Sequence, residues 1–168
     1  MMPSYPIRLV LDNIRSTANV GSILRTADAF AIECVYAVGY TPFPRQPGLP
    51  DNRAPYIAAA NTKAIAKTAL GAELTMSVTH LPDIEIAIEK LKTDGYQIIV
   101  LEQAENSLTL KDFAVTGPTA LVLGNEVTGV SPQALAAADT ILEIPMLGHK
   151  ESFGVAVAAG IALYALST

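Results

Sequence analysis

Short apolar runs alternate along the chain with stretches in which apolar residues recur at helical spacing. The apolar runs are four to six residues long and rich in Val, Ile and Leu, which is typical of buried β-strands. This pattern predicts six strands, at 7–11, 35–38, 74–79, 97–101, 119–123 and 140–144.

Five stretches between and after these runs have the spacing of helices. Asp83 is a predicted N-cap for one of them and Gly95 its stop, while Ser131-Pro132 opens another with proline in the favoured first position. The predicted helices lie at 19–30, 61–70, 84–94, from 132 onwards, and at 152–166. Residues 40–55 are rich in Pro and Gly, which predicts a long loop of the kind that is functional or mobile.

Strands that alternate with helices predict an α/β fold with a mainly parallel sheet flanked by helices. The 168 residues suit a single domain, 1–168. Ligands of such sheets bind in the loops beyond the carboxyl ends of the strands, where Gly124, Gly129 and Gly148 fall. The sequence has neither the dinucleotide fingerprint nor the phosphate-binding loop, so a different kind of nucleotide site is needed.

Composition indicates a globular intracellular protein. Hydrophobic residues make up 51% of the chain and charged residues 16%, which is typical of a packed core rather than a disordered chain. No apolar run is long enough to cross a bilayer, and Met1–Pro6 lacks the shape of a signal peptide. Cys34 is the only cysteine, which excludes an internal disulfide and a cysteine-based metal cage. We therefore expect a cytoplasmic protein with no membrane segment.

The net charge of −5 at first argues against a nucleic-acid ligand, because phosphate contacts need Lys and Arg. The charges are unevenly spread, however. Residues 1–67 hold seven Lys and Arg against four Asp and Glu, whereas residues 68–168 hold four lysines against twelve carboxylates. This asymmetry fits either a basic working face on an acidic body or an uneven solvated surface.

The first segment with candidate chemistry is 12–30. Asn19 is placed where a helix cap belongs, and Gly21 is expected to leave the first turn open to a ligand. Arg25 projects from the same helix, and an arginine beside free N–H groups suits an oxyanion or phosphate. Taken alone, the segment fits an exposed ion pair between Arg25 and Asp28 better.

The second segment, 121–131, breaks from a buried strand into a turn in which Glu126 lies between Gly124 and Gly129. Glycine permits close approach of a ligand to the backbone, and the carboxylate can anchor Arg25 or a ribose hydroxyl. An ordinary turn with a solvated Glu126 is the simpler interpretation of the segment alone.

The third segment, 144–160, leads into the last helix. Ser152 is a candidate cap, and the small residues that follow allow close packing within the core or on a partner subunit. His80 and His149 have no ligand partners at metal spacing, so no metal site is expected.

Together, in this order and spacing, the three segments resemble the SpoU (TrmH-like) branch of the SPOUT methyltransferases, along essentially the whole chain. The resemblance implies an α/β fold with a C-terminal deep trefoil knot and no separate RNA-binding domain. It also implies a homodimer that uses S-adenosylmethionine to methylate a ribose 2′-hydroxyl of tRNA or rRNA.

The resemblance assigns roles to individual residues. The positions implied to be catalytic are Asn19, Arg25, Glu126 and Ser152. Those implied to hold the cofactor are Leu101, Glu102, Gly124, Ile144, Met146, Gly148 and Phe153. The basic residues expected on the RNA-binding face are Arg15, Arg45, Arg53, Lys63 and Lys150.

Arg25 is a poor candidate for a general base, because the guanidinium group of arginine does not give up its proton readily in proteins. Its implied role is to hold and polarise the 2′-hydroxyl, with Glu126 orienting it. The third segment departs from the family, which usually has Ser-Leu-Asn where this chain has Ser152-Phe153-Gly154, so the Asn amide is missing. Two other functions stay open: a protein that binds cofactor or RNA without turnover, and a methyltransferase for another acceptor.

Overall fold

The computed structural model describes residues 5–168, so most of the N-terminal stretch Met1–Pro6 considered above lies outside it. Seven strands form one sheet in which all pairs are parallel. The strands are β1 (Ile7–Asp12), β2 (Cys34–Val38), β3 (Val78–Leu81), β4 (Gln97–Leu101), β5 (Leu108–Thr109), β6 (Thr119–Leu123) and β7 (Thr140–Glu143). The helices are α1 (Thr17–Ala29), α2 (Pro55–Ala69), α3 (Ala72–Thr75), α4 (Ile84–Thr93), α5 (Pro132–Ala137) and α6 (Val155–Ser167).

The predicted α/β class with a parallel sheet is confirmed, and β4 and β6 have the predicted bounds. Helix α2 begins at Pro55, six residues earlier than predicted, because proline suits the first turn. The strand predicted at 74–79 is wrong in its first half, where α3 lies. Strand β5 and the 3-10 turn Leu110–Asp112 were not predicted, since they are too short to show a period.

Helices cover both faces of the sheet. One face packs against α1, α2, α3 and α6 through a large apolar core, and the other packs against α4 and α5. The central strands are buried on both faces, as their unbroken apolar runs require. No helix within residues 5–168 has the length and apolar character needed to span a bilayer.

The strand order is β3-β2-β1-β6-β4-β7-β5. Strands β1 to β3 extend from the centre in one direction and β4, β7 and β5 in the other, with β6 between β1 and β4. Because all strands are parallel, the loops after β1, β6, β4 and β7 meet at one edge of the sheet. This carboxyl edge is where ligands bind in open α/β sheets.

Candidate functional site

The start of α1 lies at the carboxyl edge of the sheet and is capped by Ser16. The Ser16 hydroxyl accepts a hydrogen bond from the Asn19 backbone N–H at 3.2 Å. The prediction that Asn19 is the cap is therefore wrong. Asn19 is the third residue of the helix, and its side-chain amide donates to Glu126 Oε1 at 2.9 Å.

Glu126 joins the loop after β6 to the N-terminus of α1. Its Oε1 also accepts from the Ser16 N–H at 3.0 Å, and its Oε2 accepts from the Arg15 N–H at 2.9 Å. Burial raises the pKa of the Glu126 carboxyl, but the hydrogen bonds from Arg15, Asn19 and Ser16 outweigh it and the net pKa is lowered. A carboxylate at a helix N-terminus also interacts favourably with the helix dipole.

The loop that carries Glu126 depends on two glycines. Asn125 and Gly129 exchange two backbone hydrogen bonds of 3.0 Å, and Gly129 has a φ of +73°. A Cβ on Gly124 would overlap the backbone of Gly129 and Val130, and a Cβ on Gly129 would overlap the Glu102 carboxylate. The glycines let the loop fold tightly on itself and keep backbone exposed to the space in front of it.

Asn125 is a site residue that the sequence reasoning missed. Its side chain donates to the Asn13 carbonyl at 2.7 Å and to the Tyr40 hydroxyl at 2.8 Å. Its Oδ1 accepts from the N–H groups of Val127 and Thr128 at 2.8 and 3.0 Å. A polar residue between a buried strand and Glu126 was the available signal, but its partners are far away in the sequence.

The loops after β4, β6 and β7 are tied to one another at the same edge. Glu102 accepts from the Val130 N–H at 3.1 Å and from the Gln103 N–H at 2.9 Å. The Gln103 side chain donates to the Glu151 carbonyl at 2.9 Å. Glu102 therefore positions the loop backbone, a structural role beside its predicted place at the cofactor.

The sequence suggested that Gly21 opens the first turn of α1 to a ligand, and this prediction is wrong. It is buried against α2, where a Cβ would overlap the Thr68 hydroxyl and the Ile65 carbonyl. The Thr68 hydroxyl donates to the Ala18 carbonyl at 2.9 Å across the same contact. Gly21 is thus explained by the close packing of two helices.

The last helix begins one turn later than predicted. Its N-cap is Gly154, with φ −62° and ψ 143°, and Ser152 is not the cap. A Cβ on Gly154 would meet no atom within 4 Å, and its dihedral angles suit any residue. The Asn that the family usually has at this position would therefore fit without strain.

These loops enclose a cavity of about 680 Å³, a size usual for small-molecule sites. Three of the four predicted catalytic residues line it, namely Asn19, Glu126 and Ser152. The predicted cofactor-binding residues that line it are Leu101, Glu102, Gly124, Ile144 and Phe153. Met146 and Gly148, also predicted, do not line it. Within residues 5–168, no cluster of His, Cys, Asp and Glu has an arrangement suited to a metal ion.

Arg25 lies apart from this cavity, on the exposed face of α1. In the described part of the chain, its guanidinium forms no hydrogen bond or ion pair, so the expected contact with Glu126 is absent. Glu126 has its oxygens engaged by the start of α1 instead. The alternative ion pair with Asp28 is absent too, since Asp28 accepts from the Thr75 hydroxyl at 2.8 Å.

Four of the five basic residues predicted to face RNA have exposed side chains: Arg15, Arg45, Lys63 and Lys150. Arg53 differs from them. Its guanidinium pairs with Asp51 at 2.6 Å, donates to the Phe43 carbonyl at 2.7 Å and lies 3.5 Å above the centre of the Phe43 ring. Arg53 thus holds the 40–54 loop together.

Comparison with known proteins extends this picture. The profile of the SpoU rRNA Methylase family matches residues 53–164. The tRNA (guanosine(18)-2′-O)-methyltransferase of Escherichia coli K12 is 30% identical over 158 residues, covering 94% of this chain and 61% of the relative. The 23S rRNA (guanosine-2′-O-)-methyltransferase of Ralstonia nicotianae is 34% identical over 160 residues, covering 95% of this chain and 57% of the relative.

Among solved structures, the AdoMet-bound rRNA methyltransferase from Sinorhizobium meliloti superposes with a TM-score of 0.78 at 23% identity. The match covers 98% of this chain and 57% of that protein, and it shows a shared fold. The chain thus spans about three fifths of the length of these relatives.

Proposed function

The chain belongs to the SpoU rRNA methylase family, and we propose on this basis that it methylates a ribose 2′-hydroxyl of tRNA or rRNA, using S-adenosylmethionine. The observation that carries the proposal is the cavity at the carboxyl edge of the sheet. Its wall is the loop from Gly124 to Gly129, which Glu126 fastens to the start of α1. The names of the relatives from Escherichia coli and Ralstonia nicotianae support the choice of reaction.

The residues around the cavity suit S-adenosylmethionine. Gly124 and Gly129 line the cavity with backbone atoms, and the close packing that a Cβ on either would prevent holds the loop in this position. Leu101, Ile144 and Phe153 provide apolar wall for an adenine ring. Bound there, S-adenosylmethionine supplies an activated methyl group with its own leaving group.

The chain must then position and polarise the ribose hydroxyl, because an in-line displacement depends strongly on alignment of the two reactants. Arg25 is exposed, and its guanidinium has no hydrogen-bond or ion-pair partner in the described part of the chain. We assign it to the 2′-oxygen, where its N–H groups would stabilise the negative charge that develops as the hydroxyl proton passes to a nearby phosphate of the substrate. Ser152 and Asn19 line the cavity and are assigned to the same reaction.

Because Arg25 does not line the cavity of its own chain, we propose that it acts at the cavity of a second copy in a homodimer. Helix α6, which packs against α1, carries the exposed apolar residues Val157, Ile161 and Tyr164 at helical spacing. Phe30 at the end of α1 meets Tyr164 edge to face, with ring centroids 6.3 Å apart. An exposed apolar stripe of this kind is typical of a protein interface.

The trefoil knot is also part of the proposal. Support comes from the sheet order, in which β7 inserts between β4 and β5 although it follows both in the chain. The ties between the loops after β4, β6 and β7 agree with a chain that passes closely through its own loops. A tRNA or rRNA substrate would place the activity in the cytoplasm.

A labelled-methyl assay tests the proposed function. Total RNA is incubated with the protein and labelled S-adenosylmethionine, then digested to nucleosides, while calorimetry measures the binding of S-adenosylhomocysteine. Label in 2′-O-methyl nucleosides supports the proposal. Label found only in bases would indicate another acceptor. Binding of S-adenosylhomocysteine without methyl transfer would indicate a binding protein, and the absence of a calorimetric signal would refute the cofactor assignment.

Substitution of Val157 with glutamate is expected to convert a dimer into a monomer, because it places a charge in the apolar stripe of α6. Glutamate in the first turn of a helix is well tolerated, so the fold should persist. Sedimentation velocity at micromolar concentration measures the change. The matched control is Leu74→Glu, which alters an exposed apolar residue on α3. A wild-type chain that sediments as a monomer would contradict the homodimer.

Restoring the family residue by Gly154→Asn is expected to raise the rate of methyl transfer by roughly two- to tenfold, the value of one added hydrogen bond. Asn and Gly differ by only a few tenths of a kcal/mol as N-caps, so stability should hardly change. Single-turnover kinetics and thermal melting measure the two effects. Gly154→Ala is the control, since it adds a Cβ without an amide. Equal rates for the two variants would show that the amide has no role.

A further inference from the structure

A second cavity of about 700 Å³ lies beneath the 40–54 loop, beyond the carboxyl end of β2 and beside the first residues of the edge strand β3. It opens along the same edge of the sheet as the first cavity. The two are joined by one hydrogen bond, in which the Asn125 side chain donates to the Tyr40 hydroxyl at 2.8 Å. Asn125 lines the first cavity and Tyr40 the second. The second cavity is therefore well placed for a group attached to a ligand of the first.

A stack of three planar groups forms one wall of this cavity. The Phe43 ring lies parallel to the His80 ring, with centroids 4.7 Å apart and an angle of 16°, and the Arg53 guanidinium lies 3.5 Å from the Phe43 centroid. Two groups so close to one ring must occupy its opposite faces, so Phe43 is covered on both sides. The stack ends in His80, which is exposed, as is Tyr40 at 63%.

Hydrogen bonds fix the stack in place. His80 Nε2–H donates to the Gly39 carbonyl at 2.8 Å, and Arg53 is held by Asp51 and the Phe43 carbonyl. The Arg53 guanidinium, with a smaller contribution from Arg45, lowers the pKa of the Asp51 carboxyl to about 2. The Asp51–Arg53 pair is therefore intact at every physiological pH and holds the guanidinium against the Phe43 ring before any ligand arrives.

Polar and basic groups surround the planar surface. The side-chain amides of Asn52 and Asn61 line the cavity and have no hydrogen-bond partner among residues 5–168. Amides of this kind pair with the edges of nucleobases. Arg45 and Lys63 are exposed nearby on the loop and on α2, where they can meet phosphates.

We propose that the second cavity binds the nucleobase of an unpaired RNA nucleotide adjacent to the one that is methylated. The inference rests on the proposed function and names a second contact for the same substrate. Stacking on exposed rings, base edges read by amides and phosphates met by Arg and Lys are the features by which proteins recognise single-stranded RNA. The exposed cations Arg45 and Lys63 beside the stack favour a ligand with phosphates over a peptide.

The test compares His80→Ala and Asn61→Asp with a control, Lys92→Ala. His80→Ala removes the end of the stack, and Asn61→Asp replaces a free amide with a negative charge without breaking a described contact. Lys92 lies at the end of α4, near the opposite edge of the sheet where Arg8 at the start of β1 pairs with Asp94. Total tRNA and total rRNA are the substrates, and kcat, KM and the Kd of S-adenosylhomocysteine are measured for each variant.

We expect His80→Ala to raise KM for RNA by about fivefold or more, the size of one lost stacking contact. Asn61→Asp should also raise KM, because its charge repels the phosphates of RNA, and the control should leave KM unchanged. The Kd of S-adenosylhomocysteine should stay within twofold of wild type in all three. Photo-crosslinking of 4-thiouridine-containing RNA should label Tyr40 or His80 in the wild type.

The outcomes separate the two proposals. If wild-type protein methylates RNA but both variants keep its KM, with crosslinks elsewhere, the second cavity is not a base site and the proposed function stands. If neither methyl transfer nor S-adenosylhomocysteine binding is found, the proposed function fails. In that case crosslinks at Tyr40 or His80 that are lost in His80→Ala would still support an RNA base site, and their absence would overturn it.

Discussion

Replacement of Arg25 by alanine is expected to reduce methyl transfer by about 100-fold or more while the affinity for S-adenosylhomocysteine stays unchanged. The guanidinium is the only group assigned to the developing charge on the ribose oxygen, and it is not part of the cavity wall. Quench-flow measurement of the transfer step and calorimetry of cofactor binding separate the two effects.

The Arg25→Ala variant should fold as well as the wild type, because the exposed side chain has no partner in the described chain and such substitutions change stability by at most about 0.5 kcal/mol. Arg25→Lys is the matched variant, because lysine keeps the positive charge but lacks the planar guanidinium with its several N–H donors. It should recover only part of the rate. Full activity in Arg25→Ala would remove Arg25 from the mechanism.

The second large effect is expected from Glu126→Gln. The carboxylate accepts three hydrogen bonds from Arg15, Ser16 and Asn19, and a glutamine would turn a donor toward at least one of these donors. Because Glu126 is solvent-exposed, the loss should be about 1 kcal/mol of unfolding free energy, together with weaker binding of S-adenosylhomocysteine because the loop loses its anchor. Chemical denaturation and calorimetry measure the two quantities.

The pH dependence of this loss has a definite direction. The folded-state pKa of Glu126 lies below its ordinary value of 4.5, so the carboxylate contributes stability above that value. This contribution is lost as the pH falls through the folded-state pKa. The stability difference between wild type and Glu126→Gln should therefore be full at neutral pH and shrink below about pH 4.5.

Glu89→Gln is a suitable control, because Glu89 is exposed on α4. It should change neither the stability nor its pH dependence. A difference between wild type and Glu126→Gln that persists unchanged at pH 3 would mean that the ionised carboxylate is not the source of the effect.

The central strands were predictable because they are buried on both faces. A short, unbroken run of Val, Ile and Leu bounded by polar residues is typical of a strand buried on both faces of a sheet. Strands β4 and β6 have the predicted bounds. The resemblance placed Glu126, Asn19 and Ser152 at one site, and all three line the same cavity.

The errors arose where a distant partner decides between local alternatives. Ser16 and Asn19 are both residue types that suit an N-cap. Glu126 lies 107 residues after Asn19 and accepts a hydrogen bond from its side-chain amide, and Ser16 is the cap. Glycine at position 21 likewise fits either an open helical turn or a close contact between helices. In the structure, Gly21 packs closely against α2. Asn125 has partners at Asn13 and Tyr40 that no local pattern reveals.

The order of the strands has a consequence for how the protein is made. Strand β1 pairs with β6 more than 100 residues later in the chain, and part of the wall of the first cavity comes from α6. Contacts between such distant segments close late and make folding slow. A nascent chain therefore has no complete cofactor site until α6 has been synthesised, and until then no bound ligand can protect the unpaired strand edges of its incomplete sheet from aggregation.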